Sequence, residues 1–260
     1  MSLLSLKGVK ASMVTAAITL LPAVGNAAGG NLEANDPVGI TFWLISIAMV
    51  AATAFFFIET TRVENKWKTS LTVIGLVTLV AAVHYFYMRE VWITTGESPT
   101  VYRYIDWLIT VPLQMVEFYL ILAAVAVASA GIFWRLLLGT LVMLVGGYLG
   151  EAGFIGAWPG FIIGMLGWLF ILYEIFMGEA SKACADNAPA SVQSAFSAMR
   201  LIVTVGWAIY PLGYFLGYLM GNVDANSLNI IYNLADVINK IAFGVIIWNV
   251  AVKESDAKSM

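Results

Sequence analysis

The chain has 260 residues, of which 61% are hydrophobic and only 11% charged, and its mean hydropathy is +0.87. A soluble domain carries roughly 25% charged residues, so this composition points to the bilayer as solvent. The net charge of −3 provides no basic field for nucleic acid, the single Cys184 excludes an internal disulfide or a cysteine-held metal cluster, and the single His84 excludes a histidine-rich metal site.

The first residues read as a leader. Lys7 and Lys10 precede an apolar run from Ala11 to Val24, and Gly25-Asn26-Ala27 has the small residues of a cleavage site. Residues 1–28 are therefore expected to be a signal peptide, and 29–260 a single seven-helix domain. Seven apolar stretches follow, each long enough to cross about 30 Å of hydrocarbon. They run from about Pro37 to Thr60, Lys68 to Val91, Val101 to Ala128, Phe133 to Phe154, Trp158 to Met177, Val192 to Met220 and Ser227 to Val252. Short connections predict an antiparallel bundle. The link Thr94–Thr100 reads as a turn or small hairpin, from Gly96, Ser98 and Pro99.

Basic residues set the expected orientation. Arg62, Lys66, Lys68, Arg135, Lys182, Arg200, Lys253 and Lys258 all fall on one side if the N-terminus is outside, and Arg89 alone reads as lying at an external loop. The C-terminus is then cytoplasmic. No glycine-rich phosphate loop or nucleophile elbow is present, so nothing in the sequence supports a hydrolase or a kinase.

Ionisable groups within the spans carry the functional signal, because each costs about 2.5–3.5 kcal/mol at a helix centre on insertion scales. Lys240 lies about 14 residues into the last span, roughly 21 Å along its axis. Asp236 sits one turn nearer the outside on the same face. Either this is a plain structural ion pair, or the amine is linked to a carbonyl cofactor as a Schiff base whose cation needs counterions. The third span carries Arg103, Asp106 and Glu117. Asp106 and Glu117 lie about three turns, or 16 Å, apart on one line, with Asp106 on the external side. That spacing gives a proton acceptor below a central cation and a donor above it. Thr110, one turn inward, is placed to hydrogen-bond the Asp106 carboxylate. Trp207, Tyr210, Pro211 and Tyr214 share a face of the sixth span, and Trp107 and Trp168 add further rings that could frame a flat cofactor.

The run Arg103-Tyr-Ile-Asp106-Trp107-Leu-Ile-Thr110-Val-Pro112-Leu-Gln114 resembles the third helix of microbial (type 1) rhodopsins. Asp236-Val-Ile-Asn-Lys240 resembles their retinal-binding helix, and Trp207 with Tyr210-Pro211 their sixth. The resemblance covers about residues 37 to 253 and is nearest to the proteorhodopsins. It implies all-trans retinal as cofactor, bound to Lys240 as a protonated Schiff base. It implies Asp106 as counterion and proton acceptor, Asp236 as second counterion, Glu117 as proton donor and Arg103 as organiser of the exit side. Trp107, Trp168, Trp207, Tyr210, Pro211 and Tyr85 would line the retinal. The pattern Asp106, Thr110, Glu117 matches outward proton pumps and not chloride or sodium pumps; a photosensor signalling to a partner is the alternative. An enzyme is not expected. His84 would pair with Asp106 and, with Trp43, meet a neighbouring copy in a ring of five or six. In proteorhodopsins a glutamine at the position of Gln114 accompanies blue absorption and a leucine green, so a blue pigment is expected. The location implied is the bacterial inner membrane, with lipid and protons as the other partners.

Overall fold

A computed structural model describes residues 32–257. The leader expected over residues 1–28 lies outside the described residues. Among the described residues there is no strand, and seven helices are long and apolar enough to cross a membrane. We number the elements α1 (Pro37–Glu59), α2 (Asn65–Thr95), α3 (Thr100–Ala123), α4 (Ala130–Glu151), α5 (Ala157–Phe176), the short α6 (Glu179–Asn187), α7 (Ala190–Leu219) and α8 (Ala225–Asp256). They form the expected all-helical bundle, with consecutive spans packed side by side.

Local chemistry sets several of the ends. Asp36 caps α1 by accepting from the Gly39 amide at 2.9 Å, and Pro37 occupies the first turn, where a missing N–H costs nothing. Asp224 caps α8 in the same way from the Ser227 amide at 3.0 Å. The Ser227 amide and hydroxyl hold the exposed Asp224 carboxyl below the usual carboxylate range. The link between α2 and α3 contains no hairpin. Gly96 ends α2 in the left-handed conformation (φ 69°), and a short turn leads into α3.

The bundle is apolar outside and polar within, the reverse of a soluble protein. Leu44, Ile58, Trp134, Leu138, Leu166 and Val205 face outward, whereas Arg103, Asp106, Gln114, Glu117, Asn229, Asn233, Asp236 and Lys240 are buried. Glycines bring α4 and α5 close together: a Cβ on Gly160 would meet the Gly150 Cα at 2.5 Å. Small residues at such contacts are how membrane helices pack without a hydrophobic driving force.

Three features differ from expectation. α3 stops at Ala123, and residues 124–129 form a turn in which Ala126 has φ 63°. α5 is followed by the separate α6. Arg89 is not in a loop; it is buried on α2, with its guanidinium 5.5 Å from the Trp43 ring. In addition, π turns interrupt α7 at Ile202–Gly206 and Phe215–Leu219, and α8 at Ile238–Ala242. Pro211 cannot donate to the Trp207 carbonyl, and the Tyr210 amide takes that carbonyl instead at 3.1 Å. The π turn in α8 contains Lys240, as functional π turns often do.

Candidate functional site

α3 and α8 meet at a buried ion cluster. Lys240 Nζ donates to Asp106 Oδ2 at 2.9 Å and to Asp236 Oδ2 at 2.7 Å. All three side chains are at most 2% exposed. A buried ammonium between two carboxylates is tolerable only because its charge is compensated at contact distance.

The two carboxylates are not equivalent. Asp236 also accepts from the hydroxyls of Tyr85 at 2.7 Å and Tyr210 at 2.6 Å, and from the Trp107 indole at 3.3 Å. Asp106 Oδ1, by contrast, is buried without a hydrogen-bond partner among the described residues. Thr110 does not bond this carboxylate. It donates to the Asp106 backbone carbonyl at 2.9 Å, the local bond a threonine makes one turn back along its own helix. His84 lies close enough to Asp106 to act on it electrostatically, while its Nδ1 faces the Val80 carbonyl on α2 at 2.9 Å.

Arg103 sits one turn from Asp106 and has no carboxylate within ion-pair distance among the described residues. Its guanidinium donates to Asn229 Oδ1 at 2.7 Å and Asn233 Oδ1 at 3.2 Å, and lies 5.4 Å from the centre of the Tyr232 ring. Glu117, at the other end of α3, is fully buried; neither oxygen makes a hydrogen bond within normal limits among the described residues, and Ser70 of α2 is its polar neighbour.

A cavity whose wall includes Lys240 and Asp236 encloses about 770 Å³ of atom-free space, its mouth included. Of the residues singled out in the sequence, Trp107, Gln114, Trp168, Trp207, Tyr210 and Pro211 line it. Tyr85 does not; it stands behind Asp236 as a hydrogen-bond donor. The sequence reading missed Met143, Leu144 and Gly147 of α4, Phe161 and Met165 of α5, and Tyr104, Glu151 and Tyr232. Gln114 Nε2 donates to the Asn239 carbonyl at 3.2 Å, in the residue next to Lys240. Asn239 in turn donates to the Gly206 carbonyl and the Tyr210 hydroxyl, and Trp168 donates to the Val203 carbonyl at 3.0 Å. The cavity wall is thus tied to the π turns of α7 and α8. Trp43, the expected contact with a second copy, packs edge-on against Phe86 at 5.5 Å and is partly exposed.

Comparison with known proteins gives concordant results. Residues 36–254 match the family model described as bacteriorhodopsin-like protein. A green-light absorbing proteorhodopsin of Gamma-proteobacterium EBAC31A08 is 58% identical over 95% of this chain and 98% of its own. A blue-light absorbing proteorhodopsin of Gamma-proteobacterium Hot 75m4 is 61% identical over 88% and 92%. Among solved structures, the blue light-absorbing proteorhodopsin from Med12 superposes with a TM-score of 0.74 at 56% identity, covering 84% of this chain and all of its own.

Proposed function

The chain belongs to the bacteriorhodopsin-like protein family, and from that premise we propose that it is a light-driven outward proton pump whose chromophore is all-trans retinal held by Lys240. It is a transporter and not an enzyme. The observation that carries the proposal is the Lys240 ammonium set between a saturated and an unsaturated carboxylate on the wall of an aromatic cavity. The residues fit the group. A flat polyene aldehyde needs an amine, apolar rings along its length and counterions at one end, and Lys240, Trp107, Trp168, Trp207, Tyr210 and the two aspartates supply these. When bound as a Schiff base, retinal absorbs visible light and isomerises, which changes the proton affinity and direction of the Lys240 nitrogen.

The side chains then decide where the proton goes. Asp106 takes it, because its Oδ1 is free to carry a proton. Asp236 would have to give up bonds from Tyr85, Tyr210 or Trp107 to do the same. Glu117 returns a proton to the nitrogen from the other side. A carboxylate buried without a cation is costly, so this residue holds its proton until the nitrogen has lost its own. Arg103, held by Asn229 and Asn233, keeps a positive charge on the exit side of Asp106. The excess of basic residues at one end supports an N-terminus outside, behind a leader over residues 1–28, and a C-terminus in the cytoplasm. A bacterial inner membrane is the location proposed. Trp43 and His84 are both partly exposed, and a ring of five or six copies would cover them.

The direct test is to add all-trans retinal to cells expressing the chain, illuminate them and record external pH. Outward pumping acidifies the medium and the signal collapses with a protonophore. Alkalinisation would reverse the direction, and no change would turn the reading to a photosensor.

Two variants probe the parts. Glu117→Gln is expected to leave the first transfer intact and to slow reprotonation of the Lys240 nitrogen on the order of a hundredfold, the lower end of what a positioned proton-transfer group contributes. Flash spectroscopy reads the rate, and azide, a small diffusible acid, is expected to restore it. A wild-type rate removes Glu117 as donor. The second variant concerns colour. Gln114 is buried on the cavity wall and tied to Asn239 beside Lys240. Excitation moves positive charge away from the nitrogen, so a dipole that favours the ground-state distribution widens the gap. We therefore propose a blue-absorbing pigment, and Gln114→Leu is expected to move absorption to longer wavelength. Both proteins are compared at one alkaline pH so that Asp106 stays ionised. A maximum that stays or moves to shorter wavelength defeats this assignment.

A further inference from the structure

The cavity that Lys240 lines also reaches a carboxylate for which the relay above has no use. Glu151, the last residue of α4, lies on the cavity wall and is partly exposed. The Tyr104 hydroxyl of α3 donates to its Oε1 at 2.9 Å. The Tyr218 hydroxyl of α7 faces the same carboxylate and stands 3.5 Å from the Thr100 hydroxyl, at the first residue of α3. Tyr214 of α7 and Tyr232 of α8 complete its titratable surroundings, and Arg103 is the cation that acts on it. α5 brings Gly160 and Phe161 to this wall and no ionisable group. Room for Tyr104 comes from Gly147, where a Cβ would lie 2.9 Å from the tyrosine oxygen.

The position is informative. Along α3, Thr100, Arg103 and Tyr104 precede Asp106, and Glu117 follows it. A carboxylate held by Tyr104 and neighboured by Tyr218 and Thr100 is therefore on the opposite side of Asp106 from Glu117. It combines contact with the cavity, partial exposure and hydroxyl groups that can relay a proton.

We propose that Glu151 is the exit-side proton carrier, which takes the proton from Asp106 and passes it to the external solution; this rests on the pump reading given above. In the first step the O–H bond of protonated Asp106 breaks, an O–H bond forms on Glu151, and Asp106 returns to carboxylate. Tyr104 donates to Oε1, and the carboxylate takes up the proton beside the Tyr218 hydroxyl, which is placed to pass it on. In the second step that O–H bond breaks to an external water, giving hydronium and restoring the Glu151 carboxylate. Arg103 keeps its charge throughout and favours the ionised product at both sites.

The test uses the full chain with retinal in lipid vesicles. A flash is followed by an external pH dye and by infrared absorption of protonated carboxyl groups. In Glu151→Gln, whose side chain lines the cavity, pigment formation and the transfer to Asp106 are recorded first, as the reference for the later steps. Loss of the proton from Asp106 and its appearance outside are expected to slow together, on the order of a hundredfold. Glu151→Asp is expected to recover most of the rate. Glu151→Gln releasing its proton at the wild-type rate would overturn the proposal. Should Glu151→Gln give no pigment, Tyr104→Phe, which keeps the carboxylate and removes its donor, serves instead: slowed release supports the carrier, and a wild-type rate sinks it. A wild-type protein that exports no proton defeats the pump reading itself, whereas wild-type export with unaltered Glu151→Gln kinetics defeats the carrier alone.

Discussion

Lys240→Ala is expected to give a folded, colourless protein that does not acidify its medium on illumination. Lys240 Nζ is an amine on the wall of the aromatic cavity, and among the described residues no other lysine lines it. Lys66, Lys68, Lys182 and Lys253 lie near the ends of the spans. The substitution also removes the cation from between Asp106 and Asp236, which it contacts at 2.9 and 2.7 Å. Breaking a buried ion pair from one side costs about 3–5 kcal/mol, so a second variant separates loss of colour from loss of fold. Lys240→Ala combined with Asp106→Asn leaves one carboxylate, which Tyr85, Tyr210 and Trp107 already hydrogen-bond. That double variant is expected to keep a helical circular dichroism spectrum and to show no visible band after retinal is added. A normally coloured single or double variant would overturn the assignment.

The spans were legible because about 20 apolar residues in a row have few other uses. Lys240, Asp236 and Asp106 were legible because charge at that depth demands a reason, and helical spacing alone put the first two on one face. What the spacing could not convey is where a side chain turns. Thr110 satisfies the backbone carbonyl of Asp106, four residues earlier, in place of its carboxylate, and the Nδ1 of His84 turns to the Val80 carbonyl. Tyr85 is near the site but behind Asp236. The end of α3 was obscured by Ala124-Val-Ala-Val-Ala-Ser129, an apolar run with no glycine or proline to mark the turn at Ala126. Glu151 went unread because it ends a span, where a carboxylate normally meets water or headgroups. Its interest comes from Tyr104, 47 residues earlier, and only folding brings the two together.

Asp106→Asn is expected to shift absorption to longer wavelength and to abolish proton export. The side chain keeps its shape, so the helix and the cavity stand, but the charge 2.9 Å from the Lys240 nitrogen is lost. At an effective dielectric constant of about 20 a unit charge pair at such a distance is worth several kcal/mol. That interaction stabilises a cation localised at the nitrogen, which is the ground-state distribution. It does less for the excited state, where the charge has moved along the chain. Losing it narrows the gap. Asp236 remains as counterion, so a pigment still forms. The nitrogen, however, then faces an amide that cannot accept its proton and a second carboxylate whose oxygens are engaged by Tyr85, Tyr210 and Trp107. Flash spectroscopy is therefore expected to show a cycle without the deprotonated species, and a pH electrode no light-dependent acidification. Export at the wild-type rate from Asp106→Asn would mean that Asp236 accepts the proton despite its hydrogen bonds, and the inequality of the two carboxylates would then have no bearing on direction.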